Sequence, residues 1–386
     1  MPTLSTITRT ASIVARSRRH QTLTSLSASS RIPIVCENDV PCRGLKASTT
    51  THGISPLSDP ENKGQRQTGV NFDVLGSWNN RLELNVNVQQ SIKRGSLIPQ
   101  ITLDNVGYAS LCGRRKVNED KLLISEVKPG LLMFGIFDGH GSDLASQYAQ
   151  DHFQDHVAFW IERGERNLEL VLKKAFVDLN NMFTRSQYKK QIAKGSDSTS
   201  AGTTATVCLL HDDIHLYIGH VGDSRAILCR EGKAMKLTRE HCPDDEEERD
   251  RILATGGRIT WSSIGRPRVN GKLEMTRSIG DAELKAAGVT AEPDTAKIRV
   301  RHSHDAFLVL CTDGIHHVLN SQQVVDIICR ARDPQEAAKF TPDQALLFGS
   351  DDNCSVIVIP FGAWGKFASK HFTSGFTRSL IGSRVD

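Results

Sequence analysis

Three aspartates of this 386-residue chain lie at the ends of apolar segments. Asp138 directly follows the run Leu131–Phe137, Asp313 comes two residues after the run Ala306–Cys311, and Asp352 precedes a further apolar run. A single Asp beside a strand is an ordinary turn residue, and each one taken alone favours that interpretation. Three of them, two followed directly by Gly, predict carboxylates gathered on one rim if the strands are neighbours.

Such a carboxylate cluster predicts a site for hard metal ions. Two negative charges 4 Å apart repel by about 4 kcal/mol at an effective dielectric constant of about 20, so the cluster needs compensating cations. Oxygen ligands suit Mn²⁺ or Mg²⁺, whereas zinc usually draws on His or Cys. Gly139 could add its backbone carbonyl, because a residue without Cβ lets the chain approach closely. Two ions about 3.5–4 Å apart are typical of phosphate ester hydrolysis.

Residues suited to phosphate chemistry stand near these aspartates. Arg115 belongs to a basic segment that leads into the acidic pair Glu119 and Asp120, and guanidinium groups bind phosphate oxygens in pairs. His140, two residues after Asp138, is a candidate acid for the leaving group. Taken alone, Arg115 would be a solvated basic turn and His140 a hydrogen-bonded loop residue.

Eight motifs occur in the order found in the metal-dependent type 2C protein serine/threonine phosphatases, and the chain resembles that family over residues 95–361. The motifs are Arg115-x3-Glu119-Asp120, Asp138-Gly139-His140-Gly141, Gly202-Thr203-Thr204-Ala205, Val221-Gly222-Asp223-Ser224-Arg225, Asn270-Gly271, Arg277-Ser278-Ile279-Gly280-Asp281, Asp313-Gly314 and Asp352-Asn353.

The resemblance implies an α+β fold of two packed antiparallel β-sheets flanked by helices, with two Mn²⁺ or Mg²⁺ ions in a cleft at one edge. It also implies roles for the site residues: Asp138 bridges both ions, the Gly139 carbonyl, Asp313 and Asp352 complete the direct protein ligands, Glu119 and Asp120 act mostly through water, Arg115 binds phosphate, and His140 is the general acid. The alternative is an inactive phosphatase-like binding module, but that would be expected to have lost a metal carboxylate or Arg115.

Two positions depart from the family pattern. Ser142 replaces a usual Gly, and we expect it to cap the helix that starts at Asp143. His317 replaces an Asp that joins Asp223 and Asp313 at a third ion in many members. Because imidazole is a poor ligand for Mg²⁺, we expect the third site to be weak or missing, with His317 either paired to one of these aspartates or without a catalytic role.

The segment 244–268 corresponds to the family's variable flap beside the cleft. Its acidic start, residues 244–248, would suit either a helix N-terminus or substrate recognition.

Within the family, the chain resembles the mitochondrial members that act on branched-chain α-keto acid dehydrogenase, which implies that phosphoprotein as the substrate. The segments that carry this resemblance are residues 91–93, 105–107, 202–207 and 360–366.

Hydrophobic periodicity predicts the elements that must position these residues. The predicted strands are Leu131–Phe137, Thr203–Leu210, Ile214–Val221, Arg225–Arg230, Ala306–Cys311 and Ser355–Ile359. The predicted helices are Asp143–Glu162, Asn167–Arg185, Asp244–Thr255 and Ser321–Arg332. Hairpin-like pairs of strands favour an α+β sandwich over alternating βαβ units.

The first 36 residues contain five Arg, thirteen Ser or Thr and no acidic residue. This composition is typical of an organelle transit peptide, although a basic tail that binds a surface remains the alternative. We therefore predict the mitochondrial matrix as the location. Without these five charges, the net charge of +4 falls to about −1, which gives no case for nucleic-acid binding.

The domain organisation predicted from composition has four parts: a transit peptide (1–36), a polar linker (37–94), the phosphatase domain (95–361) and a C-terminal tail (362–386) expected to fray. The longest apolar run has about seven residues, which is far too short to insert in a membrane.

The chain has nine Cys and no C-x-x-C pair, which predicts reduced thiols that are mostly buried.

Overall fold

The structure is a computed structural model that describes residues 100–194, 201–261 and 266–367. The predicted transit peptide and linker, residues 262–265 of the flap, and residues 368–386 of the predicted tail lie outside the described residues. Within the described part, no helix is both long enough and apolar enough to cross a membrane.

The described residues form fifteen strands and seven α-helices. The strands are β1 (Gly107–Leu111), β2 (Lys121–Lys128), β3 (Leu131–Phe137), β4 (Gly139–His140), β5 (Gly202–Thr203), β6 (Ala205–His211), β7 (His215–Val221), β8 (Arg225–Arg230), β9 (Lys233–Lys236), β10 (Ile259–Thr260), β11 (Arg268–Val269), β12 (Ile279–Gly280), β13 (Asp294–Arg299), β14 (Asp305–Cys311) and β15 (Cys354–Pro360). The helices are α1 (Leu144–Glu162), α2 (Leu168–Lys194), α3 (Glu246–Ala254), α4 (Ala282–Lys285), α5 (Asp313–His316), α6 (Ser321–Ile328) and α7 (Pro334–Leu347).

Two five-stranded antiparallel sheets make the centre of the fold. Sheet I has the strand order β13-β7-β6-β3-β2, and sheet II has the order β1-β15-β14-β8-β9. In sheet I, Phe134 lies opposite Cys208, and in sheet II Val309 lies opposite Val358. A small three-stranded sheet, β12-β5-β4, adjoins the end of sheet I at which β3 passes into β4.

The central strands are apolar along their whole length because both of their faces are covered. In β14, Val309 and Cys311 pack in one cluster with residues of α6 and α7, so the alternating Leu308 and Leu310 point to the opposite face of sheet II. That face meets sheet I, since β14 and β15 both contact β3. On the outer face of sheet I, Phe153 of α1 and Phe176 of α2 pack edge to face, 5.0 Å between ring centroids. The layers therefore run helices, sheet, sheet, helices, which confirms the predicted fold class.

All six predicted strands are present, two of them, β3 and β8, with the predicted bounds. The predicted strand Thr203–Leu210 is divided at Thr204 into β5 and β6. Of the helices, α2 runs nine residues beyond its predicted end, and α6 stops four residues before its own. Among the seven described cysteines all thiols are free and four are buried, as predicted.

Two local predictions are wrong. The N-cap position of α1 is Asp143 rather than Ser142, and the Ser142 hydroxyl is buried without a hydrogen-bond partner. The described residues after Pro360, 361–367, also do not fray as expected, because Phe361 and Trp364 are buried and Trp364 packs against Phe307 of β14, 5.6 Å between rings. Burying these two aromatic rings extends the packed domain beyond residue 361, at least to Trp364.

Candidate active site

The predicted site residues come from both sheets and meet at one edge of the sandwich. Asp138 follows β3 of sheet I, whereas Asp313 follows β14 and Asp352 precedes β15 in sheet II. Asp223 lies in the turn from β7 to β8, where the chain crosses from sheet I to sheet II. Asp120 directly precedes β2, so the acidic pair stands just before a strand of sheet I. The connections at this edge therefore bring aspartates together from distant parts of the chain.

These residues surround a cleft of about 780 Å³. The predicted residues that line the cleft are Arg115, Glu119, Asp138, Gly139, His140, Asp223, Asp313 and Asp352. Asp120 lies behind the lining, 3% exposed, and its Oδ2 accepts a hydrogen bond from the Thr312 hydroxyl at 3.1 Å. The structure thus brings together every residue that the sequence singled out for the site.

The carboxylates of the cleft oppose one another's ionisation. Burial first, and the charges of Asp313 and Asp352 in addition, raise the pKa of Asp120 to about 7. Burial and Asp313 likewise raise the pKa of Asp223 to about 7. For Asp138, burial and four neighbouring aspartates raise the pKa well above its ordinary value. Carboxylates in this state bind protons or cations to relieve their repulsion.

The donor set fits a hard divalent cation. Asp120 Oδ1 is buried without any hydrogen-bond partner, although a buried carboxylate oxygen normally has one. Among the described residues, no three His, Cys, Asp or Glu side chains lie close enough to hold one ion by themselves. Mg²⁺ is usually held by one or two carboxylates together with waters, so oxygen donors spread around a cleft suit it.

The space around residue 139 is too small for any side chain, so the residue has to be glycine. A Cβ at this position would come within 2.6 Å of the Glu119 carbonyl oxygen and 2.7 Å of the Ser146 hydroxyl, a contact that no real Cβ makes. The Ser146 hydroxyl also donates to the Glu119 carbonyl at 2.5 Å, which ties the start of α1 to the acidic pair. Glycine therefore allows the backbone after Asp138 to lie directly against the segment that carries Glu119.

Arg115 reaches into the cleft through an ion pair with another predicted site residue. Its Nη2 lies 2.7 Å from Asp352 Oδ2, with the two side chains 60% and 33% exposed. Asn353 holds the loop in place, because its Nδ2 donates to the carbonyls of Cys112 and Val117 and its Oδ1 accepts from the Glu119 amide. Asn353 belongs to a recognised motif, but nothing in the sequence indicated this loop-fastening contact.

His140 has a partner that the sequence did not single out. His140 Nε2 lies 2.8 Å from Asp281 Oδ2, and Asp281 is almost completely buried. The only signal for Asp281 in the sequence is its place at the end of the motif that begins at Arg277. A separation of 141 residues hides the pair from any local pattern.

His317 lies beside Asp313, as one of the two sequence alternatives expects. Its Nδ1 is 3.5 Å from Asp313 Oδ2, four residues away along the start of the helical segment. Burial raises the pKa of Asp313, and the electrostatic effect of His317 offsets this only in part. The neighbouring His316 bonds through Nε2 to the Asp223 carbonyl at 2.9 Å.

The acidic start of the flap has structural contacts. Asp245 is the N-cap of α3 and accepts hydrogen bonds from the Glu247 and Glu248 amides. Glu248 is buried between Arg277 and Arg251, and Thr276 donates to it at 2.6 Å. Of the two alternatives for this segment, the contacts of Asp245 and Glu248 support the structural one.

Comparison with known proteins agrees with this geometry. Residues 105–354 match the family Protein phosphatase 2C. Protein phosphatase 1K, mitochondrial, from Xenopus laevis is 44% identical over 81% of this chain and 83% of that protein. The solved structure of a C. elegans sex determining protein is 27% identical, with a TM-score of 0.62, over 69% of this chain and 66% of that one.

A crystal structure of a serine-threonine phosphatase 2C from Toxoplasma gondii shares the fold. Its TM-score is 0.59 at 24% identity, over 66% of this chain and 94% of that one. The family match covers well over half of the chain, and six of the eight motifs contribute residues to the lining of the cleft. The chain therefore belongs to the protein phosphatase 2C family and is a protein serine/threonine phosphatase.

Proposed function

We propose that this phosphatase acts in the mitochondrial matrix and removes phosphate from serine or threonine of branched-chain α-keto acid dehydrogenase. The mitochondrial relative from Xenopus laevis and the transit-like composition of residues 1–36 both support the location. The substrate rests on the resemblance of short segments to mitochondrial members of the family.

Members of this family depend on Mn²⁺ or Mg²⁺. Two ions would be held by Asp138, the Gly139 carbonyl, Asp313 and Asp352, with Glu119 and Asp120 acting through water. We expect a third site near Asp223 to be weak or missing. When bound, the ions supply a nucleophilic water and positive charge beside the phosphoryl oxygens. The observation that carries this proposal is the electrostatic one: several buried carboxylates share one cleft, and their pKa values are raised.

The chain's own residues account for binding and proton transfer. The Arg115–Asp352 ion pair is largely exposed, so its exchange for a substrate phosphate costs little. Arg115 then holds two phosphate oxygens, and Asp352 would be free to serve as a metal ligand. His140, which lines the same cleft, donates a proton to the serine or threonine oxygen as the bond to phosphorus breaks.

The activity is tested with the full chain on phosphoserine and phosphothreonine peptides and on the phosphorylated dehydrogenase. We expect hydrolysis with added Mn²⁺ or Mg²⁺ and none after verified metal removal. Full activity in excess chelator would contradict the two-ion site. No hydrolysis under any metal condition would favour the inactive binding module.

The location is tested by fusing residues 1–36 to a fluorescent protein. We expect import into mitochondria, and we expect that changing Arg9, Arg16, Arg18 and Arg19 together to Glu prevents it. A full-length protein that stays in the cytosolic fraction would contradict both the location and the dehydrogenase as substrate.

A further inference from the structure

We infer that Asp281 is a positioning residue that orients the imidazole of His140 toward the leaving oxygen of the substrate. The inference rests on the proposed role of His140 as the proton donor. Both side chains line the cleft, and the 2.8 Å contact between His140 Nε2 and Asp281 Oδ2 joins them.

Asp281 is itself held rigidly. Its carboxylate accepts a second hydrogen bond from the Ser278 hydroxyl at 2.5 Å, and its amide donates to the Ala201 carbonyl at 3.1 Å. Its backbone has a φ of 47°, in the left-handed region that non-glycine residues rarely occupy. Such backbone conformations persist only where the surroundings enforce them, and they cluster at functional sites.

The pair depends on a glycine at position 202. A Cβ on Gly202 would come within 2.2 Å of Asp281 Oδ2 and 2.3 Å of His140 Nε2. Residue 202 therefore has to be Gly for the two side chains to meet. β5, which carries Gly202, pairs with both the His140 strand β4 and the neighbouring β12. The three-stranded sheet thus serves as the support on which the pair is assembled.

Asp281 remains an ionised acceptor although it is buried. Burial would raise the pKa of its carboxyl, but the hydrogen bond and charge of His140, the Ser278 hydroxyl and the charge of Lys285 together lower that pKa. Among the described residues, the His140 imidazole makes this one hydrogen bond, and its Nδ1 has no partner. Because Asp281 holds Nε2, Nδ1 is the nitrogen left to carry the proton to the leaving oxygen. The orientation of the ring consequently depends on Asp281 more than on any other polar contact.

The experiment compares two substrates that differ in their need for a proton donor. A phosphoserine peptide releases a strongly basic alkoxide, whereas p-nitrophenyl phosphate releases a phenolate that leaves without protonation. For Asp281→Asn we expect kcat on the phosphopeptide to fall by about 100-fold with KM little changed, the size of effect a misplaced catalytic group produces. On p-nitrophenyl phosphate we expect a change of less than about threefold.

A double-mutant cycle with His140→Gln shows whether Asp281 acts through His140. We expect the double variant to be no slower on the phosphopeptide than His140→Gln alone, because Asp281 has no imidazole to orient once His140 is replaced. Ser278→Ala should give a smaller effect in the same direction, and it tests the inference even if Asp281→Asn folds poorly.

Asp305→Asn is the matched control, because Asp305 is also a buried aspartate but pairs with Arg230 far from the cleft. We expect it to lower stability and to leave the ratio of the two activities unchanged. Equal losses on both substrates for Asp281→Asn, or additive losses in the cycle, would overturn the positioning role. A wild-type protein inactive on both substrates with Mn²⁺ would instead overturn the proposed function.

Discussion

Two groups of buried acids in this protein have opposite electrostatic surroundings. In the cleft, burial and neighbouring aspartates raise the pKa values of Asp120 and Asp223 to about 7. Beneath the flap, Glu248 is 1% exposed, yet hydrogen bonds from Arg277, Arg251 and Thr276 outweigh its burial and lower its pKa to about 2.

The difference lies in where the compensating positive charge comes from. Glu248, Arg251, Arg277 and Asp294 form a cluster, here called the flap anchor, in which the arginines belong to the chain. The cleft is also lined by basic residues, but Arg268 and Lys272 pair with Glu274 and Glu283. Among the described residues, Arg115 is the one arginine or lysine in an ion pair with a cleft aspartate, and it is mostly exposed. Cations from outside the chain are therefore needed in the cleft and not in the flap anchor, which is the physical basis of the family's metal dependence.

The largest effect is expected from Asp138→Asn in the cleft. Removing this carboxylate should lower kcat on a phosphoserine peptide by at least about 10³-fold, because the carboxylates that would hold the metal ions act together in catalysis. It should also raise the thermal stability of the metal-free protein, because it removes one member of a repelling cluster. Asp343→Asn, an exposed aspartate of α7, is the control and should change neither quantity. An active Asp138→Asn variant would contradict the assignment of the cleft.

The reverse pattern is expected from Glu248→Ala in the flap anchor. The change leaves the half-buried Arg277 without its main partner, so the free energy of unfolding should fall by about 3–5 kcal/mol, measured in denaturant. The fraction that remains folded should keep its kcat within about tenfold. Glu246→Ala, two residues earlier and exposed, should change stability by less than about 0.5 kcal/mol. Equal stability of Glu248→Ala and wild type would show that the flap anchor is not a compensated cluster.

The two groups should also respond oppositely to pH. In the metal-free protein, Asp120 and Asp223 keep protons up to about pH 7, whereas the unfolded chain loses them near 3.8, so their contribution to stability falls between pH 4 and 7. Glu248 has the opposite sign, since its contribution appears as pH rises from about 2 past 4.5. Mg²⁺ at 100 times its dissociation constant should restore about 2.7 kcal/mol. Unfolding curves measured at pH 5 and pH 7.5, with and without Mg²⁺, test these pH dependences. If the metal-free wild type became more stable from pH 5 to pH 7.5 while Asp223→Asn did not, the predicted effect of Asp223 would be contradicted.

The smallest effect is expected from His317→Asp. The new carboxylate would lie near Asp313 and add an oxygen donor that imidazole does not supply, so the Mg²⁺ activation curve should gain a low-affinity phase. The high-affinity phase should not move. His304→Asp, at an exposed site beside Glu231, is the control. Identical titrations for wild type and His317→Asp would show that this position does not govern a third ion.

Whether the sequence predicts a strand or helix depends on how its faces are buried and on the pattern that this burial leaves in the sequence. β3 was predicted with the bounds it has because burial on both faces makes it continuously apolar. β2 and β13 were missed, since their residues are mostly half-buried and mix apolar with charged side chains. α7 was missed because Pro342 lies inside it, and an internal proline normally indicates the end of a helix.

The same reasoning applies to the site. Asp138 and Asp313 were found because an apolar run that ends in Asp-Gly is a local pattern. The contacts that define their surroundings are not local: Asn353 fastens a loop 234 residues away, and Asp281 meets His140 across 141 residues. No spacing rule links such positions, so they could be named only as parts of motifs.

The sequence by itself determined the residue types of the cleft, the family and the strands that carry the carboxylates, because covalent order and hydrophobic periodicity are properties of short segments. Only the tertiary structure decided which charges are compensated. Glu248 and Asp223 are both buried acids, but Arg277 and Arg251 bind the first, whereas the charge of Asp313 opposes ionisation of the second. That outcome depends on how sheet I, sheet II and the flap pack, since electrostatic energy is set by distance in space and not by separation along the chain.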